Sequence, residues 1–331
     1  MASSAILVEG LVKRFGDVVA LEGIDFEVPA GTVFGLLGPN GAGKTTAIRI
    51  LATVLTPDAG RAEVLGFDVA RSPAEVRYRI GLAGQFAAVD ENLTGLENLV
   101  LIGKLVHLPT KQIRPRALEL LERMGLTEAA NRPVKTYSGG MRRRLDLAAA
   151  LVQRPPVLFF DEPTTGLDPQ SRSELWEMTR ELVADGTTVL LTTQYMEEAD
   201  RLAQKIAVID KGRVIALDTP SALKAKMGST VIELGMDTRE SAEKTLSVLA
   251  CIDGRAPELD GNTIRITTDE GPRLLMQALR LLDGEGLTPT ALAVREPSLD
   301  DVFLSLTGHR AEDATSAQPA RRRSRKAGVG S

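Results

Sequence analysis

Up to about Thr219 the chain alternates short apolar runs with helical stretches, a pattern that predicts an α/β fold with a largely parallel sheet. The clearest runs cover residues 5–8, 32–37, 157–160, 188–192 and 206–210 and predict strands. Asp168-Pro169 predicts a helix start, a capping acid followed by proline at the first helical position. Leu175, Met178, Thr179 and Leu182 then keep one face, and Asp185-Gly186 ends the helix. Between the second and third strands, a stretch of about 86–150 offers no convincing strand and predicts a helical insertion.

From Thr230 the texture changes. "TVIEL", "TIRITT" and "TALAVRE" read as strands, with helices over 240–249 and 272–282. That is a small α+β unit for which a ferredoxin-like order is the candidate topology, followed by a short amphipathic helix, "PSLDDVFLSLTG". The expected organisation is a large unit over 1–222, a small one over 229–307 and a disordered basic tail over 308–331.

Composition narrows the function classes. The 331 residues are 43% hydrophobic and 25% charged, with a formal charge of −4, which argues against nucleic acid as the main partner. One cysteine, Cys251, cannot form an internal disulfide and fits a reducing compartment. His107 and His309 lie far apart, which disfavours a histidine-built metal site. The N-terminus lacks a signal-peptide pattern, and no apolar run reaches the roughly 18 residues a membrane span needs. These features lead to the expectation of a cytoplasmic protein.

Three segments carry chemistry. In "GPNGAGKTT", residues Gly38, Pro39, Asn40, Gly41, Ala42, Gly43, Lys44, Thr45 and Thr46 follow a strand and open an apolar helix. They fill the phosphate-loop pattern, in which glycines turn backbone N–H groups toward phosphate oxygens at a helix N-terminus. Lys44 can reach the β- and γ-phosphates, and the Thr45 hydroxyl can ligate Mg²⁺. In "PPVLFFDEPTTGLD", Asp161 emerges from a buried strand where it can hold Mg²⁺ through water, and Glu162 is suited to polarise an attacking water. Taken alone, the two acids could equally solvate a strand end. In "TYSGGMRRRLDLAAAL", the Ser138 hydroxyl and the amides of Gly139 and Gly140 open a helix and make a second anion site, or a plain helix cap. Two anion sites with one phosphate loop suggest that the second serves a partner's nucleotide.

The ordered set resembles the ATP-binding subunits of ABC transporters over residues 5 to about 222. "GPNGAGKTT" is similar to the Walker A, "VLFFDE" to the Walker B with its catalytic glutamate, and "YSGGM" to the signature. The resemblance makes Gln85 in "GLAGQFAAV" the Q-loop residue that senses Mg²⁺ and faces the membrane subunit. It makes Gly166–Asp168 the D-loop, and Phe15 the aromatic under adenine, although an aromatic after a first strand is as often core. It implies ATP and Mg²⁺ as cofactors, ATPase activity, a head-to-tail pair of identical subunits, and an integral membrane permease as partner on the inner face of the cell membrane.

Two departures stand out. Tyr137 and Met141 replace the commoner Leu and Gln of the signature, and Gln194 stands where the family usually has its switch histidine. Gln194 therefore acts in the histidine's place, or the contact is absent. With "PSLDDVFLSLTG", these residues resemble the daunorubicin-resistance branch of exporter ATPases, which implies hydrophobic or amphipathic cargo. A soluble member acting in translation or DNA repair is the rival reading, against which stand the single cassette and the lack of coiled-coil heptads. The unit over 230–307 could also be a ligand-sensing module. Arg321, Arg322, Arg323, Arg325 and Lys326 could lean on an anionic membrane surface or be simply solvated.

Overall fold

The structure, a computed structural model, describes residues 4–84, 89–226, 230–250, 257–268, 270–295 and 297–307. Strands β1 (Ser4–Phe15) and β2 (Val18–Pro29) form a long antiparallel hairpin. Its register shifts between Val8 and Leu11, and a one-residue slip moves side chains to the opposite face. The apolar pattern of β1 is therefore legible only over its first residues. Strand β3 (Val33–Leu37) is buried at every position and delivers the chain to helix α1 (Lys44–Leu51). β4 (Ala59–Val64) returns to pair with β1, and β5 (Phe67–Asp68) pairs with β4. The order β2-β1-β4-β5 is a four-stranded antiparallel sheet that the sequence pattern does not predict.

Helix α2 (Pro73–Arg79) leads into β6 (Ile80–Ala83). The expected helical insertion is helical among the described residues: α3 (Gly95–Leu105), α4 (Thr110–Arg123) and α5 (Gly139–Ala150), with a short 3-10 turn before α5. Thr94 and Glu97 start α3 by a reciprocal capping box, each side chain taking the other residue's N–H. Then follow β7 (Val157–Asp161), α6 (Pro169–Ala184), β8 (Thr188–Thr193), α7 (Met196–Leu202), β9 (Lys205–Asp210), β10 (Arg213–Asp218) and α8 (Pro220–Lys226). Asp168 caps α6 as expected, accepting from the Ser171 N–H at 3.0 Å.

The central sheet runs β10-β9-β3-β8-β7-β6, parallel throughout except for the edge strand β10. One face packs with the antiparallel sheet and α1, around Phe34, Ile48 and Phe159. The other packs with the helical insertion, α6 and α7, around Leu145, Phe160 and Leu191. With apolar cover on both sides, the inner strands need no alternation, which is why they read as solid apolar runs.

The last segment folds as β11 (Thr230–Gly235), α9 (Arg239–Leu249), β12 (Glu258–Asp260), β13 (Thr263–Thr268), α10 (Gly271–Gly284) and β14 (Ala291–Arg295). Its sheet order β12-β13-β11-β14, with every neighbouring pair antiparallel, is the ferredoxin-like arrangement. Ile232, Ile264, Leu274 and Leu282 form a separate small core. Helix α11 (Leu299–Thr307) does not join that core: its Leu299, Val302 and Phe303 are buried with the central sheet's helices, against α7 and α8.

Candidate nucleotide site

Strand register lays out the site. β8 lies between β3 and β7, with Thr193 level with Leu37 on one side and Thr192 level with Asp161 on the other. Neighbouring strands run about 4.8 Å apart, so the segments leaving them start side by side. These are the loop from Gly38, then Gln194, then Asp161-Glu162. Ligands of open parallel sheets bind at this carboxyl edge.

The loop is held by close packing. A side chain at Gly43 would put its Cβ 2.5 Å from the Ala20 carbonyl oxygen, and the residue sits at φ +110°. Only glycine fits there, directly before the first turn of α1, whose free N–H groups attract anions. Lys44 is only 4% exposed, and its ammonium donates to the carbonyls of Gly38 at 2.7 Å and Pro39 at 3.1 Å. It also lies 3.4 Å from Glu162 Oε1. Burial pushes the Lys44 pKa down, while Glu162 and then Asp161 pull it back up. A phosphate oxygen entering the loop competes for those same donors.

Asp161 Oδ1 accepts from the Thr45 hydroxyl at 3.0 Å and from Thr192 Oγ1 at 2.7 Å. A carboxylate beside a hydroxyl at the phosphate loop suits Mg²⁺, which takes one or two carboxylates plus phosphate oxygens rather than a protein cage. No cluster of three or more His, Cys, Asp or Glu occurs among the described residues. Glu162, 7% exposed, has φ +52°. A non-glycine residue in that region costs about 1–3 kcal/mol, and such strain gathers at functional sites. Here the Glu162 N–H is held by both the carbonyl and the hydroxyl of Thr192, each at 3.1 Å.

Gln194 is half-buried at the end of β8, in the turn before α7, between the Gly38 loop and Glu162. Phe15 ends β1 and is 48% exposed, with the Lys13 ammonium 5.6 Å from its ring centre. Its ring is thus open for stacking instead of being core. Gln85 lies outside the described residues; the preceding Gly84 is described.

Ser138 caps α5, accepting from the Met141 N–H at 3.2 Å. The helix-cap reading therefore holds within one chain. Ser138 and Gly139 are nevertheless exposed, and a Cβ on Gly139 would meet nothing within 4 Å. Gly140 is different: a Cβ there would lie 2.5 Å from Ser171 Oγ, at the start of α6. The two unusual signature residues both face inward. Tyr137 is buried and donates to the Ala129 carbonyl at 2.7 Å, a bond worth about 1 kcal/mol. Met141 packs against the same core.

Sequence reasoning misses Thr192, which holds both site acids through one hydroxyl. It also misses Arg143, whose guanidinium donates to the carbonyls of Gly84, Glu162 and Pro163. The pair Thr192-Thr193 at a strand end was a readable signal for the first. Nothing local marks the second, because its partners lie 19 and more residues away. Glu198 is missed as well: fully buried on α7, it accepts from Trp176 Nε1 at 3.2 Å, and burial raises its pKa.

A phosphate loop, a hydroxyl–carboxylate pair beside it and a strained glutamate on one sheet edge define a P-loop nucleotide-hydrolysing cassette. Residues 21–165 match the ABC transporter family. The chain is 54% identical over 322 residues to a daunorubicin resistance ATP-binding protein of Streptomyces coeruleorubidus, covering 97% of this chain and 100% of that protein. It is 49% identical over 317 residues to the daunorubicin/doxorubicin resistance ATP-binding protein of Streptomyces peucetius, covering 96% of each. The chain therefore belongs to the ABC transporter family, as an ATP-binding and ATP-hydrolysing subunit. Among solved structures it is similar to a dimeric ATP-binding cassette in a post-hydrolysis state bound to ADP and Pi. There the TM-score is 0.59 and the identity 25%, over 65% of this chain and 98% of that one. ATP-binding subunits of this family pair and act on membrane permeases, and no helix among the described residues is long and apolar enough to cross a membrane.

Proposed function

We infer that the chain powers export of a hydrophobic or amphipathic compound, an anthracycline-type drug, another antibiotic or a lipid, through a separate membrane permease. Near-full-length likeness to daunorubicin resistance proteins supports the cargo class. The exposed Ser138-Gly139 start of α5, with open space before it, supports the working unit: two copies arranged head to tail. Each ATP lies between the Gly38–Lys44 loop of one copy and the Ser138 helix of the other. Phe15 stacks on adenine, and Lys44 with the loop amides binds the phosphates. Thr45 and Asp161, with Gln85 and water, would hold Mg²⁺, which would supply positive charge to the phosphates. Glu162 accepts a proton from the attacking water, and Gln194 contacts the γ-phosphate.

Residues 1–222, with α11 packed on α7 and α8, form the ATPase unit, and the elements from β11 to β14 a second unit. Beside β6, which leads to Gln85, a groove of 660 Å³ is lined by Tyr78, Leu82, Leu105, His107 and Gln153. Tyr78 and Leu105 are 69% and 68% exposed. Apolar side chains left open beside β6 suit a cytoplasmic helix of the permease. The subunit would then sit on the inner face of the cell membrane.

The basic tail, outside the described residues, adds attraction to anionic lipid at about 1 kcal/mol per charge near the surface. Truncation after Gly308 should leave ATP turnover intact and weaken sedimentation with phosphatidylserine vesicles. Equal sedimentation of the truncated and full chains would refute the tail's role. Export itself is tested in inside-out vesicles carrying the permease and the full chain. ATP-dependent daunorubicin accumulation, lost with Glu162→Gln, is the expected result. Co-purification with ribosomes or DNA and no transport of any amphipathic probe would contradict the reading.

A further inference from the structure

Arg143 stands in the second turn of α5, five residues after Ser138. It spends three nitrogens on main-chain carbonyls of the catalytic edge. Nη2 donates to Glu162 at 2.9 Å, Nε to Pro163 at 2.5 Å, and Nη1 to Gly84. A planar guanidinium fixes several acceptors at set angles, which a lysine ammonium on a flexible stem does not.

The consequence for Glu162 is specific. Its peptide is gripped on both sides, the N–H by Thr192 and the carbonyl by Arg143. Its φ of +52° is a conformation a glutamate leaves unless its surroundings over-determine it. The direction in which Cβ leaves the chain, from which the side-chain torsions then carry the carboxylate, is set by that backbone conformation. Through Gly84 the same side chain also fixes the residue preceding Gln85. Its own helix starts at Ser138, about 7–8 Å away along the axis, so the grip is rigidly linked to the exposed end that a partner's nucleotide would meet.

We propose that Arg143 is a positioning residue for ATP hydrolysis, locking the Glu162 backbone and the start of the Gln85 segment to the Ser138 helix. Movement of that helix onto a partner-bound nucleotide then reaches the glutamate of its own subunit. The proposal rests on Glu162 being the group that accepts the proton from water.

A double-mutant cycle on the full-length chain with its permease tests it. Arg143→Ala should lower kcat roughly 10- to 100-fold, the scale of a misplaced catalytic group, with ATP affinity unchanged. Arg143→Lys, which keeps the charge but loses the fork, should fall between Arg143→Ala and the parent. In a Glu162→Gln background, Arg143→Ala should cause no further loss, because the group it positions is gone. Full kcat in both single variants, or an additive loss in the double variant, would overturn the proposal. If Arg143→Ala melts early, Arg143→Lys carries the same cycle. Full turnover in Glu162→Gln alone would overturn the assignment of the base, a failure visible in a separate arm.

Discussion

Glu162→Gln is expected to bind ATP as the parent does and to hydrolyse it about 10²–10⁴-fold more slowly, the usual contribution of a positioned general base. The amide keeps the shape of the side chain and loses only the capacity to take a proton. The position is already strained at φ +52° and anchored by Thr192 and Arg143, contacts made through its backbone that the substitution leaves in place. The change also removes the carboxylate 3.4 Å from Lys44. Lys44 then retains its two carbonyl partners, at 2.7 and 3.1 Å, and is more available to phosphate. Phosphate release assays paired with equilibrium ATP binding read the two effects separately. Near-parental turnover would remove Glu162 from the role of base.

Gln194→Ala should lower turnover about 10²-fold while sparing ATP binding, the loss seen when one preorganised donor to transition-state charge is removed. Gln194 leaves β8 between the phosphate loop and Glu162, the edge at which the proposed site places the γ-phosphate. Its amide offers two N–H donors and one acceptor, and it does not titrate. Gln194→His should retain appreciable activity, since a neutral imidazole also has one donor and one acceptor. It should acquire a loss the parent lacks as pH falls through about 6.5, where the imidazolium gives up its acceptor. A parallel pair of pH profiles reads this directly. Unchanged turnover in Gln194→Ala would reduce the residue to a spacer before α7.

Elements whose signals are local were legible. The run 157–160 ends where Asp161 emerges, Asp168-Pro169 opens α6, and the glycine-rich loop lies between a strand and a helix. The strand pattern over 188–192 also places Gln194 at a carboxyl end. Elements defined by partners were not legible. The antiparallel sheet hides because β1 shifts register after Val8, although β2 does carry a period-two signal, burying Ile24, Phe26 and Val28 between exposed Asp25 and Glu27. Tyr137 reads as an odd signature residue until its hydroxyl is seen on the Ala129 carbonyl. Arg143 reads as one of three surface arginines in a row, although its neighbour Arg142 pairs outward with Glu91 while Arg143 turns to the catalytic edge. Helix α11 was expected with the small unit, yet its Phe303 lies in the core beside α7 and α8.

In the proposed working unit each ATP is completed by the Ser138 helix of a second copy. Glu162→Gln, unable to discharge its nucleotide, provides the direct measurement: solution mass by light scattering with and without Mg²⁺ and ATP. The expected result is a shift from the 35.5 kDa monomer to twice that mass only with ATP, abolished when Ser138→Glu places a like charge against the partner's phosphates. A mass that stays at 35.5 kDa while ATP is bound, or a dimer indifferent to Ser138→Glu, would contradict it.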